Sequence, residues 1–133
     1  MSKKKETHKG VTVHSELLNA GGPHAGNCVG YLRNIKRVHL PSSNLTSWAE
    51  KLRLAETKKA KKGRVAVIEV TSGPFKENGH VALVTHVDDD GNTQSITLEE
   101  ANYPKIGYWR RKAEGHNIDQ IEKALNIRGY IKT

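Results

Sequence analysis

A chain of 133 residues with 35% hydrophobic residues holds one compact domain and its core, but not two comfortable ones. No stretch approaches the roughly 20 apolar residues that cross a bilayer, so no membrane span is expected. Lys and Arg number 22 against 14 Asp and Glu, and the net charge of +8 suits polyanionic partners without choosing among them.

Residues 1–10 are polar and basic and read as a disordered tail, which leaves residues 11–133 as a single domain. The start has the charge of a signal-peptide n-region, but no apolar segment follows it. Synthesis in the cytoplasm without an export signal is therefore expected. A substrate outside the cytoplasm, in the cell wall or periplasm, would then be reached by release, delivery or injection.

From Asn19 to Cys28 the chain is dense in Gly and Pro and reads as a loop. Cys28, Tyr31, Leu32, Ile35 and Val38 then recur at helical spacing, which puts Cys28 in the first turn of a helix. Pro41 and Ser42-Ser43-Asn44 close that helix. A second begins near Ser47, whose capping box is completed by Glu50, with Leu45, Trp48, Ala49, Leu52 and Ala55 on one apolar face. Strands are expected at Val65–Val70, Val81–Val87, Ser95–Asn102 and Gly129–Ile131, with a short helix capped by Asn117 before the last. Helices first and antiparallel strands after make the fold class α+β. Asp88, Asp90, Asn92 and Glu99 carry the acidic spacing of a calcium loop. Thr93 stands where that loop needs glycine, and Asp90-Gly91 marks a hairpin turn instead.

Cys28 is the only cysteine, which excludes a disulfide within the monomer and a cysteine-based zinc site. A thiol at a helix N-terminus is stabilised as thiolate, and the glycine-rich approach lets backbone N–H groups reach a substrate carbonyl. Such a thiol needs an imidazole to take its proton and later protonate the leaving amine. Of seven histidines, His8, His14 and His39 suit surface or capping roles, and His116 precedes a helix cap. His24 fits either a cleft or a turn. His80 and His86 share a strand and a face about 20 Å apart, so one at most serves the thiol. His80, after Gly79 at the strand mouth, is the better placed. On the next strand Glu100 and Asn102 share parity with Ile96 and Leu98. A core-facing strand would bury them, and a histidine partner would offset the cost. A strand ending before Glu100 would leave both solvated.

Gly26-Asn27-Cys28-Val29-Gly30-Tyr31 resembles the nucleophile motif of CHAP domains. Asn44 with Trp48-Ala49 is similar to the family's second-helix motif, and Lys62-Gly63-Arg64-Val65-Ala66-Val67 to its first strand. Gly79-His80-Val81-Ala82-Leu83-Val84 resembles the histidine strand, Glu100-Ala101-Asn102-Tyr103 the Glu-x-Asn motif, and Gly129-Tyr130-Ile131 the closing strand. The resemblance runs from about Gly21 to Ile131 and implies a papain-like fold, with a first helix carrying the Cys packed on an antiparallel sheet. It implies Cys28 as nucleophile, His80 as base, and Glu100 and Asn102 as the groups orienting the imidazole. Asn27, His24 and Tyr31 would line the cleft or its oxyanion site. Gly30 departs from the family, which often has a bulkier residue there, and Pro74 and Phe75 give the cleft wall its own character.

The implied reaction is cleavage of a peptidoglycan amide through a thioester, without metal or other cofactor, by an N-acetylmuramoyl-L-alanine amidase or an endopeptidase. Phage lysis or antibacterial delivery would be its setting. Expected partners are the wall stem peptide and, through the basic surface, anionic wall polymers; a monomer is expected. Two alternatives stay open. One is a papain-like cysteine peptidase or amidase acting on a non-wall substrate. The other is a non-catalytic basic binding module, a nucleic-acid reading that rests on charge alone.

Overall fold

The computed structural model describes residues 3–41 and 45–133, and in it one antiparallel sheet of seven strands carries three helices. The strands are β1 (Lys3–His8), β2 (Val11–Asn19), β3 (Val65–Ile68), β4 (His80–Asp89), β5 (Gln94–Ala101), β6 (Tyr108–Gly115) and β7 (Ile127–Ile131). The helices are α1 (Cys28–Gly30), which runs on as a π turn over Tyr31–Ile35, α2 (Trp48–Leu54) and α3 (Ile118–Leu125). Across the sheet the order is β1-β2-β6-β5-β4-β3-β7.

Both faces of the sheet are covered, which is why β3 reads as the unbroken run Val-Ala-Val-Ile. Val65 and Val67 join a core with Leu32, Leu45, Trp48 and Tyr108 on the side of α1 and α2. Ala66 and Ile68 join Ile121, Leu125 and Tyr130 on the side of α3. Asn117 caps α3 by accepting from the Gln120 N–H at 2.9 Å, and Ile121 and Leu125 are buried as its spacing predicts. The Asp90-Gly91 stretch is a hairpin turn between β4 and β5. The Asp90 carboxylate accepts from the N–H groups of Asn92 and Thr93 at 3.0 and 2.7 Å and so holds the turn.

Several expectations are corrected. Residues 3–8 are not a disordered tail but the edge strand β1, in register with β2 from Lys3↔Glu16 to His8↔Val11. Every β1 side chain is exposed, so the strand is held by its ladder and leaves no hydrophobic period to read. The chain therefore opens with two strands, not with helices, and β2 and β6 both lie in the sheet where no strand was anticipated. The first helix is shorter than its spacing implied: the Lys36 N–H reaches back to the Tyr31 carbonyl, one residue beyond the α pattern. Ser47 caps α2 as expected, accepting from the Glu50 N–H at 3.1 Å. Its inner face, however, runs through Lys51, while Leu52 is 43% exposed. Asn44 and the Ser42-Ser43 pair lie outside the described residues. In β4 the pairing shifts between Val84 and His86. This bulge turns His86 outward while His80 is buried, so the two do not share a face.

Candidate active site

A cavity of about 760 Å³ opens where α1, the start of β4 and the loops 70–79 and 102–107 meet. Asn27 precedes α1 in extended backbone, and its Oδ1 accepts from the Gly30 N–H at 2.9 Å. That cap fixes the turn and leaves Cys28, half-buried, on the cavity wall. The Cys28 N–H has no hydrogen-bond partner among the described residues, as expected for a first-turn donor.

His80 is delivered by the first residue of β4. Gly79 before it has φ +70°, and a Cβ there would lie 2.4 Å from the Trp48 ring. Only glycine lets the chain turn under that indole and present the imidazole. His80 is 3% exposed and its Nε2 lies 2.8 Å from Glu100 Oε1, which leaves Nδ1 for its hydrogen bond with the Cys28 thiol. Tyr103 stacks on the imidazole with centroids 5.0 Å apart.

Glu100 is fully buried on β5, inward with Ile96 and Leu98 as its parity predicts. Arg111 of β6 meets it with two bonds of 2.8 Å, Nε to Oε2 and Nη2 to Oε1. The Arg111 guanidinium also sits 4.5 Å from the Tyr103 ring centroid. A carboxylate forked by arginine on one side and bonded to imidazole on the other is fixed in place and in charge.

The electrostatics follow. Burial alone would push the Cys28 thiol up. Its bond to His80, the charge of that imidazole, the Val81 N–H and the Lys51 ammonium outweigh burial and bring it down to about 7. Burial alone would pull the His80 imidazole down, but its bonds and attraction to Cys28 and Glu100 bring it up to about 8. Burial works against the Glu100 carboxylate too, yet the Arg111 charge and the bonds to His80 and Arg111 hold it below the ordinary range. Both shifts run in the direction that favours the proton shared by thiol and imidazole sitting on the imidazole.

The structure brings Cys28, His80 and Glu100 together. Among the described residues no hydrogen bond joins Asn102 to the imidazole. β5 ends at Ala101, and at Asn102 the backbone leaves the strand at φ 67°, with its N–H donating to the Gly107 carbonyl while the residue lines the cavity. His24 lines the cavity beside Asn27; a Cβ on Gly30 would come within 2.5 Å of its ring, so the glycine makes room for that imidazole. Tyr31 does not line the cleft. It is 2% exposed and packs against Tyr108 at 4.6 Å, because the helix turns that face into the core. Arg111 and Tyr103 were missed as site residues. The parity of Trp109, Arg111 and Ala113 in β6 is the signal that could have found the arginine. Among the described residues no group of three or more His, Cys, Asp and Glu is placed to hold a metal ion, and no helix is long and apolar enough to cross a membrane.

A thiolate held by an imidazolium that is backed by a buried carboxylate has the chemistry of a cysteine-dependent amide hydrolase. The chain belongs to the CHAP domain family, whose model matches residues 19–102, an interval that holds Cys28, His80 and Glu100 but not Arg111. Membership implies hydrolase activity of the amidase or peptidase kind. No curated protein and no solved structure matches the chain.

Proposed function

We propose that this domain is a peptidoglycan hydrolase that cleaves a wall amide, either between muramic acid and alanine or within the stem peptide. The observation that carries the reading is Cys28 against His80–Glu100 at the wall of an open cavity, in a chain of this family. The Cys28 thiolate attacks the amide carbon, forming a C–S bond while charge develops on oxygen near the Cys28 N–H. His80 donates its proton to the leaving nitrogen as the C–N bond breaks. The resulting thioester is attacked by water, which gives a proton to His80. The C–S bond then breaks to release the acid and restore the ion pair. Glu100 keeps the imidazole oriented, and Arg111 keeps Glu100 ionised. The fold that supports these steps is of the papain-like kind. Release in phage lysis or delivery as an antibacterial effector would both bring the enzyme to its wall, and the neighbouring genes distinguish them.

The test is release of new amino groups from purified peptidoglycans of several cross-link types. Wild type should release them and Cys28→Ala should not, with fragment masses naming the bond. Folded, reduced protein that releases none from any wall would remove peptidoglycan as the substrate.

A pH dependence follows from the two shifted groups. Hydrolysis should rise as Cys28 deprotonates near pH 7 and fall as His80 loses its proton near pH 8, because the leaving amine needs that proton. Alkylation by neutral iodoacetamide needs only the thiolate, so it should show the rising limb without the falling one. Rate profiles for both reactions on one preparation check this; a falling limb in both would overturn it.

A further inference from the structure

Lys51 is a buried charge that takes no part in the bond-making steps proposed above, although its field helps to hold the Cys28 thiol down. It is 2% exposed on the inner face of α2, and it lines the same cavity as Cys28 and His80. Among the described residues its ammonium makes one hydrogen bond, from Nζ to the Leu45 carbonyl at 2.9 Å, and forms no ion pair with a carboxylate. Burial pulls the Lys51 ammonium down, offset in part by attraction to Cys28, and its one hydrogen-bonded acceptor is neutral, so the charge is only partly compensated where it sits. The rest of the cavity has the same sign. Among the described residues, Lys105 stands at its rim without an ion pair and no Asp or Glu lines the cavity. Two exposed apolar side chains, Phe75 at 51% and Ile106 at 64%, stand on its loop walls.

We infer that the cleft reads a carboxylate: Lys51 at the floor and Lys105 at the rim receive a free acid group beside the scissile amide. The substrate would thus be a peptide with an ionised carboxyl next to the cleaved bond, in preference to the same peptide carrying a carboxamide there. Phe75 and Ile106 would hold the apolar parts of that peptide. For its substrate this inference rests on the reading of the domain as an amide hydrolase, but the charge recognition can be measured without any turnover.

The probes are iodoacetate and iodoacetamide, which alkylate the same thiol and differ in a carboxylate against a carboxamide. The imidazolium of His80 attracts iodoacetate in every variant, so the quantity to compare is the ratio of the two rate constants. At low ionic strength that ratio should fall roughly tenfold in Lys51→Met, whose side chain keeps the apolar stem. It should be largely kept in Lys51→Arg and should fall by a smaller factor in Lys105→Gln. An unchanged ratio in folded Lys51→Met would overturn the inference. Equal slowing of both reagents would overturn it as well, since Lys51 would then act on the thiolate alone. If Lys51→Met does not fold, Lys105→Gln and the loss of the wild-type ratio in high salt decide the matter, and a ratio insensitive to both overturns it. Peptide pairs differing only in acid or amide beside the scissile bond complete the test by their kcat/KM. A charge-selective thiol that cleaves no wall peptide would sink the peptidoglycan reading while leaving this one standing.

Discussion

Arg111→Met is expected to destabilise the protein by about 3–5 kcal/mol, the cost of leaving one member of a buried ion pair without its partner. Glu100 is fully buried and Arg111 is 7% exposed, so water cannot replace the two bonds that the guanidinium makes. A loss of this size in a domain of 133 residues lowers Tm by about 10–20 °C, which thermal unfolding followed by circular dichroism will register. The test that isolates the cause is the double variant Arg111→Met with Glu100→Gln. Removing the stranded carboxylate should return part of the stability without returning activity. A double variant no more stable than Arg111→Met would show that the arginine matters for packing rather than for charge.

Glu100→Gln should lower kcat/KM by about 10³–10⁴-fold, on the scale seen when the acid behind a catalytic imidazole becomes an amide. The carboxylate both orients His80 at 2.8 Å and helps raise its pKa. With the amide in its place His80 binds its proton less firmly and Cys28 gives its proton up less readily, so the ion pair is depopulated from both sides. The rising limb of iodoacetamide alkylation should therefore move to higher pH. Reduced turnover with an unmoved alkylation limb would mean that Glu100 acts by orientation alone.

The parts of this site that were legible in the sequence share a reason. Cys28 after a glycine-rich loop, Gly79 before His80, and Glu100 in phase with Ile96 and Leu98 are local patterns, and the backbone obeyed them. Asn102 lies beyond the reach of the parity argument, which holds only while the strand lasts, because β5 ends one residue before it. The shared face expected of His80 and His86 failed because a bulge resets parity within β4. β6 was hidden by its function: Arg110, Arg111 and Lys112 look like a solvated charge run, yet the middle one faces inward between Trp109 and Ala113 to meet Glu100. Lys51 was hidden in the same way, as a cation on a face that the pattern assigned to Leu52. Edge strand β1 has no buried residue, so nothing in its composition could separate it from a tail.

The groups that activate the thiol are spread along the chain in a particular order. Cys28 is made first, His80 and Glu100 follow on β4 and β5, and Arg111 comes on β6. During synthesis the nucleophile therefore leaves the ribosome long before the residues that lower its pKa. Until those strands pair, Cys28 is an ordinary thiol with its proton in place, and the nascent chain carries no competent attacking group. The order of the elements thus makes closure of the sheet the last step in assembling the environment that activates the thiol.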